Sequence, residues 1–329
     1  MTNPRTPAPR VLPLLLAVLV VLSAAAGGWW LGAARPVPPD ELARADAWQG
    51  TQELLAHPSL DAGPETAGVR ADLERQLEAL GPAPGDRAAS AARAERPSPA
   101  APGRSGAPGG PGSTGGPGHL AGVLSDSGVE LAGDALRAEE PALARVLGAA
   151  AASRAVTARQ LGGGAADPEL CAPGAAAAPG PGGTSSPGAL LWSALDRAGY
   201  ALEALAARAG PVPAAGPAAP LLLQAREDVE ELLELPAARG VLAAAPGLRA
   251  GAYVLPGDAA ESPARAAGAV AQDVQAAAAH ALAHGQPADR CWALLALEQA
   301  GELRAGISGE VDALPGVPAD DDARGRAPR

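Results

Sequence analysis

The pattern of hydrophobic positions changes along the chain, and each change predicts a different kind of segment. An apolar run without a charge occupies 11–32. At about 1.5 Å per residue, a helix of this length spans about 33 Å, which is enough to cross the core of a bilayer. Elsewhere, apolar residues recur at every third or fourth position, as is typical of amphipathic helices. The sequence therefore predicts an all-α protein preceded by a single N-terminal transmembrane helix.

The flanks of the apolar run predict its orientation. Arg5 and Arg10 precede the run, and Trp29 and Trp30 close it. Arginines favour the cytoplasmic side of a membrane, and tryptophan rings favour the membrane–water interface. We therefore expect a single-pass protein of the cell membrane, with a cytoplasmic N-terminus and an extracytoplasmic C-terminal domain. The alternative is a cleaved signal peptide, for which the small residues at 24–26 offer a cleavage site.

Proline and glycine clusters divide the remaining chain. Two tracts rich in these residues, at 83–118 and 172–188, cannot bury enough apolar surface to offset their ordering entropy. We expect both tracts to be flexible and the helical segments to lie between them. The predicted boundaries are a cytoplasmic stub at 1–10, the anchor at 11–32, a juxtamembrane helical region at 36–82, a disordered linker at 83–118, a helical hairpin at 119–164, a flexible tract at 172–188, a helical bundle at 189–318 and an acidic tail at 319–329.

The clearest helical pattern lies after the second tract. Apolar residues there are separated by four, three, four, three and four positions, which predicts one buried stripe along a long helix. This stripe consists of Leu191, Leu195, Ala198, Leu202, Leu205 and Ala209. Three further helical patterns follow with short connections, so the segment predicts an antiparallel four-helix bundle.

Four segments of this bundle also resemble a known family. They are LLWSALDRAGYALEALAARA at 190–209, AGAYVLP at 250–256, ESPARAAGAVAQDVQAAAAHALAHG at 261–285 and LPGVP at 314–318. Together they are similar to a ferritin-like domain of unknown function found in high-GC Gram-positive bacteria. The resemblance covers about 130 residues of the C-terminal region, with weaker similarity at 143–161. It implies a ferritin-like bundle and a history of metal binding, but no particular reaction.

This chain departs from the metal-binding pattern of that family. The first helix of the family often carries a Glu-His pair, and the matching position here is Asp196-Arg197. Ferritin-like di-iron sites use the Glu-x-x-His spacing twice, and this spacing occurs nowhere in the chain. The resemblance therefore favours the bundle and disfavours di-iron chemistry.

Composition and charge narrow the range of partners. The 329 residues include 42 Gly and 35 Pro but no Phe, so a core must be built from Leu, Val, Ala and a few Trp. The formal net charge is −11. Because nucleic-acid phosphates require a basic surface, we expect no binding of nucleic acid.

Two cysteines, Cys171 and Cys291, follow the predicted anchor. Outside the membrane the compartment is oxidising, so the two thiols are predicted to form a disulfide. The alternative is that both are unpaired small apolar side chains.

The strongest candidate for metal binding is a polar line on the third helix of the bundle. Asp273, His280 and His284 fall on one side of that helix, and histidines at i and i+4 are a usable pair for zinc or copper. The alternative is a solvated polar edge. A second polar line, Asp196, Tyr200 and Glu203, is expected to be surface.

These observations favour a non-catalytic envelope protein that binds an unidentified envelope protein or a second copy of itself. No nucleophile or phosphate-binding motif is present, so no cofactor and no catalytic residue is predicted. The alternative function is a metal-binding or redox protein built on a ferritin-like scaffold.

Overall fold

All the regular structure that is described in the protein is helical. A computed structural model describes residues 36–61, 63, 66–95, 117–163, 184–209, 218–250, 252–257 and 259–318. Within these ranges there are ten α-helices, two short 3₁₀ turns and no β-strand. The all-α fold class predicted from the sequence is therefore confirmed.

Three helices form the N-terminal layer. They are α1 (Pro39–Leu55), α2 (Ala67–Leu80) and α3 (Asp86–Glu95), and a 3₁₀ turn at Pro58–Asp61 follows α1. Helix α1 packs against both α2 and α3. The prediction for this part needs one correction, because 86–95 belongs to the stretch predicted as disordered linker. The Ala-rich sequence DRAASAARAE favours a helix, and Ala88 and Ala92 are buried.

A helical hairpin, α4 (Pro117–Arg137) and α5 (Pro141–Gln160), joins this layer to the rest of the molecule. Its two helices make the most extensive pairwise contact among the described elements. Small residues allow this close approach, since Gly128 of α4 lies against the backbone of Ala151 in α5. Helix α5 also packs on the two C-terminal helices, so it lies between the two halves of the structure.

The C-terminal half is built around four helices, which we call the central helices. These are α6 (Pro187–Ala209), α7 (Ala218–Glu234), α9 (Pro263–His284) and α10 (Pro287–Ser308), and the short helix α8 (Pro236–Ala244) precedes a 3₁₀ turn at Pro246–Leu248. All four line one small internal cavity. Pro236 begins α8 and separates it from α7, because a proline cannot donate the helical hydrogen bond.

The directions of the central helices follow from their contacts. Gly199 of α6 lies against Val229 of α7, whereas Glu203 lies 3.9 Å from Arg226, so these two helices are antiparallel. Helices α9 and α10 are antiparallel neighbours because only two residues connect them.

Helices α10 and α7 are also antiparallel. Gly306 near the end of α10 lies against Leu221 near the start of α7, and Glu302 interacts with Asp228 further along α7. Helices α7 and α9 therefore run in the same direction. The connection 235–262 must return along the length of the central helices before α9 begins.

The predicted apolar stripes lie in the core. All six residues of the stripe on α6, from Leu191 to Ala209, are buried. The facing residues of α9 and α10 include Val274 and Trp292, which are also buried. The last helix ends at Ser308, since Gly309 adopts a left-handed conformation with φ of 76°.

The predicted transmembrane helix at 11–32 lies outside the described residues, as do the tract at 172–183 and the tail at 319–329. Within the described ranges, none of the helices is both long and apolar enough to cross a bilayer.

Candidate functional sites

The centre of the central helices is almost entirely apolar. Its small cavity has a volume of about 20 Å³, and the side chains around it are mainly Leu, Val and Ala. Two polar residues, Asp228 and Gln299, reach the cavity wall. The Oε1 atom of Gln299 is buried without a hydrogen-bond partner in the described structure. A cavity of this size has room for about one water molecule.

Tyr253, from the connection 235–262, contacts the polar line on α6. The Tyr253 hydroxyl donates a hydrogen bond of 2.5 Å to Asp196 Oδ2. The Tyr253 ring meets the Tyr200 ring edge to face, with centroids 5.8 Å apart. Burial, followed by the hydrogen bond to Asp196, raises the pKa of Tyr253. The sequence placed Asp196, Tyr200 and Glu203 on one line but missed Tyr253, because a long connection has no periodicity that fixes its position.

The predicted metal ligands on α9 are only partly brought together. The rings of His280 and His284 lie with centroids 4.9 Å apart, and both side chains are exposed. Partial burial, the neighbouring His284 and Arg145 lower the pKa of His280. Among the described residues, no three His, Cys, Asp or Glu side chains lie close enough together to hold a metal ion. Asp273 therefore does not form a three-ligand group with His280 and His284. The metal site stays a prediction.

Cys291 lies near the start of α10 and is buried. The described part of the chain contains no free thiol. Its predicted partner, Cys171, lies outside the described residues. The Cys171–Cys291 disulfide therefore stays a prediction.

Sequence reasoning missed a buried arginine where α1, α2, α4 and α5 meet. The guanidinium of Arg154 on α5 donates to three side chains, each from a different helix: Thr51 Oγ1 at 2.6 Å, Gln76 Oε1 at 3.0 Å and Ser127 Oγ at 2.5 Å. Burial lowers the pKa of Arg154 to about 9. The arginine is still protonated at neutral pH, and neutral oxygen atoms provide its hydrogen-bond acceptors. We call this group the arginine junction.

Gln76 extends the arginine junction towards the C-terminus. Its Nε2 atom donates to Ser153 Oγ at 3.2 Å and to the carbonyl oxygen of Ala313 at 3.1 Å. A signal for the junction was present in the sequence. On α5, Arg154 follows Leu147 and Ala151 at helical spacing, so a charged residue occupies the apolar stripe.

A half-buried ionic group connects α5 to α10. Arg159 forms ion pairs with both Glu298 and Glu302. Burial raises the pKa of Glu302, whereas the charge of Arg159 lowers it, and the nearby carboxylates Glu298 and Asp228 raise it further. This group fixes the hairpin against the central helices.

Comparison of the chain with protein-family models, with curated proteins and with solved structures found no match.

Proposed function

We propose that this protein is a membrane-anchored, extracytoplasmic helical protein that acts without catalysis, by binding a protein of the cell envelope or a second copy of itself. The observation that carries the proposal is the apolar centre of the central helices. Di-metal sites of ferritin-like proteins are built there from Glu and His side chains that project inward. In this chain the same space is filled by side chains such as Leu195, Leu202 and Val270.

The helix directions support a ferritin-like arrangement of the bundle. Ferritin-like folds contain one long crossover connection, which joins two helices that run in the same direction. The connection 235–262 between α7 and α9 has this property. The family resemblance on 190–209 and 261–285 points to the same arrangement.

Anchoring and orientation can be tested together on the full-length protein in its own membranes. We expect it to stay in the membrane fraction after alkaline carbonate extraction, and an external protease on intact spheroplasts to digest the region after the anchor. Release by carbonate would contradict the anchor. Protection from the protease until the membrane is broken would contradict the extracytoplasmic orientation.

The binding role requires a separate measurement. Chemical crosslinking in intact membranes followed by purification should recover the protein in a defined complex, either with one envelope protein or with a second copy. Recovery of the monomer alone, at a crosslinker concentration that captures a known envelope complex, would contradict the proposal.

The predicted disulfide belongs to this proposal because it requires an oxidising compartment. We expect the exported protein to migrate faster on a non-reducing gel than on a reducing gel, and Cys171→Ser and Cys291→Ser to abolish this difference equally. Labelling of both thiols in the unreduced wild-type protein would refute the disulfide.

The second candidate function, metal binding, is favoured by the histidine pair on α9. The lowered pKa of His280 favours the neutral imidazole that binds metal. A Zn²⁺ or Cu²⁺ titration of the full-length protein tests it. Stoichiometric binding lost in His280→Ala with His284→Ala would support this function and contradict the non-catalytic proposal.

The chain offers a matched control for the metal titration. Its other two histidines, His57 and His119, also form a pair, with ring centroids 5.2 Å apart. The His57 Nδ1 atom accepts a hydrogen bond of 3.3 Å from the backbone N–H of Ser59, which favours a proton on the other ring nitrogen. Because metal-bound histidine donates from its second nitrogen, we expect His57→Ala with His119→Ala to leave metal binding unchanged.

A further inference from the structure

The segment 309–318, which follows α10, has no regular secondary structure, yet it packs against the rest of the molecule. Within this segment Ala313 and Pro315 are buried. Two glycines turn the chain, because Gly309 and Gly316 adopt left-handed backbone conformations, with φ of 76° and 73°. We call residues 309–318 the C-terminal strap.

The C-terminal strap is fixed to the central helices by an ion pair and by close packing. The Nη1 atom of Arg304 on α10 donates to Asp312 Oδ2 in the strap at 2.8 Å, and it also donates to Gln275 Oε1 on α9 at 3.1 Å. Gly316 lies very close to α9. A Cβ atom added there would stand 2.3 Å from the carbonyl oxygen of Gln275 and 2.8 Å from the Cβ of Ala279. Docking of the strap on α9 therefore requires glycine at this position.

The C-terminal strap also bonds to the N-terminal layer, through Gln76 on α2. The Nε2 atom of this buried side chain donates to the carbonyl oxygen of Ala313 at 3.1 Å. Its Oε1 atom accepts a hydrogen bond of 3.0 Å from Arg154. One amide group thus contacts both the strap and the arginine junction. Because each bond holds this amide in the orientation that the other requires, we expect docking of the strap and formation of the junction to support each other.

Like charges at the same contact work against docking. Asp72 on α2 lies near two carboxylates of the strap, those of Asp312 and Glu310. Burial is the main cause of the raised pKa of Asp72. The hydrogen bond and charge of Arg75 lower this pKa, whereas the two strap carboxylates raise it further. The contact between the strap and α2 therefore combines a buried hydrogen bond with repulsion between negative charges, which favours a contact that can open.

We propose that the C-terminal strap is a latch that holds the N-terminal layer closed against the hairpin. In the closed state, Gln76 bonds to both the strap and Arg154. When the strap leaves α2, Gln76 loses its acceptor on Ala313, and α1 and α2 separate more easily from α5. The latch thus transmits a change at one end of the chain to helices near the other end. It does not depend on the partner-binding role proposed above.

Hydrogen exchange of the full-length protein in detergent micelles, measured by mass spectrometry on peptides of α2 and α6, tests the latch. Gly316→Ala places a Cβ atom against the Gln275 carbonyl and should release the strap. We expect amides of α2 to exchange roughly tenfold faster in this variant, because loss of a buried hydrogen bond makes local opening easier. Amides of α6, which the strap does not fix, should change little.

The chain offers a matched control for this substitution. Gly162, at the end of α5, also has a positive φ, of 84°, but an added Cβ atom would meet nothing within 4 Å. Gly162→Ala therefore introduces the same backbone strain without a clash, and it should leave the exchange of α2 unchanged.

A second variant should act in the opposite direction and serves as the test if Gly316→Ala does not fold. Glu310→Gln removes one of the like charges near Asp72, so it should slow the exchange of α2 by roughly twofold to fivefold at low salt. The difference should shrink when NaCl is raised from about 0.05 to about 0.5 M, because salt screens exposed charges. Glu227→Gln, at an exposed position of α7, is the control and should have no effect on α2.

Three results would overturn the proposal. The first is a folded Gly316→Ala variant in which faster exchange is confined to the strap, or is equal in α2 and α6. The second is an equal acceleration of α2 by Gly162→Ala. The third is an exchange rate of α2 that is unchanged or faster in Glu310→Gln.

Discussion

Two interiors of this protein are built from different chemistry. The core of the central helices consists of Leu, Val, Ala and two buried tryptophans, Trp192 and Trp292, around a cavity of about 20 Å³. The arginine junction instead places a buried cation, Arg154, among hydroxyl and amide groups from three other helices. The first interior is stabilised by burial, which has no preferred direction, and the second by directed hydrogen bonds.

This difference indicates separate roles for the two regions. An apolar core contributes stability in proportion to the area it buries and tolerates small changes of geometry. A buried polar network contributes little net stability, but losing one member leaves its partners unsatisfied and is costly. We infer that the central core holds the molecule together. The arginine junction then determines how the N-terminal layer sits on the hairpin.

The largest effect is expected in the central core. Leu202 is 1% exposed and lines the internal cavity, so Leu202→Ala enlarges that cavity. We expect it to lower the free energy of unfolding by about 2–5 kcal/mol, as measured by urea denaturation. Leu223→Ala on α7 is the control, since Leu223 is 46% exposed, and it should change stability by less than about 0.5 kcal/mol. Equal effects of the two substitutions would contradict the account of the core.

The next effect is expected at the arginine junction. Arg154→Lys keeps the charge, but an ammonium group cannot reproduce the planar geometry that reaches Thr51, Gln76 and Ser127 together. We expect a loss of about 2 kcal/mol in the free energy of unfolding, because buried acceptors lose their donors. Arg208→Lys, at an exposed position of α6, should have no measurable effect. An Arg154→Lys variant with unchanged stability would show that the arginine junction does not depend on the planar geometry of the guanidinium.

A smaller effect is expected where the long connection meets α6. Tyr253→Phe removes the hydroxyl that donates to Asp196 but keeps the ring that meets Tyr200. We expect a loss of about 0.5–1.5 kcal/mol in the free energy of unfolding. Tyr200→Phe keeps the same ring pair and should leave the free energy of unfolding almost unchanged. An equal loss of stability in both variants would contradict the role of the Tyr253 hydroxyl.

The smallest effect is a change in the pH dependence of stability. Because the pKa of Glu302 is raised in the folded protein, the folded state binds this proton more tightly than the unfolded chain does. The resulting stabilisation is fully present below the ordinary pKa of 4.5 and is lost as the pH rises through the raised folded-state pKa. The free energy of unfolding of the wild-type protein, minus that of Glu302→Gln, should therefore fall across this interval. A constant or rising difference would contradict the raised pKa.

Much of the fold was predictable because helical periodicity is a local signal. The spacing from Leu191 to Ala209 identified the buried face of α6, and Pro141, Pro236 and Pro263 stand at the first helical position, where proline is favoured. The helix at 86–95 was missed because it is short, its apolar side chains are all alanines and it stands beside a glycine- and proline-rich tract. Its buried alanines become informative only once α1 is in place.

The candidate sites were less predictable because they depend on contacts between distant residues. The hydrogen bond between Tyr253 and Asp196 joins residues 57 positions apart, and the bond between Arg154 and Thr51 joins residues 103 positions apart. No spacing rule within one helix contains that information. The histidine pair on α9 was visible because its members are four positions apart on one helix.

Native-state hydrogen exchange, followed by mass spectrometry with increasing denaturant, tests the division into two regions most directly. The account predicts that amides of α6, α9 and α10 exchange only through global unfolding, whereas those of α1 and α2 exchange through a smaller opening. It also predicts that Arg154→Lys lowers the free energy of that smaller opening by about 2 kcal/mol. In this variant α6, α9 and α10 should still be the last helices to exchange. A single exchange free energy for all these helices, in both proteins, would contradict it.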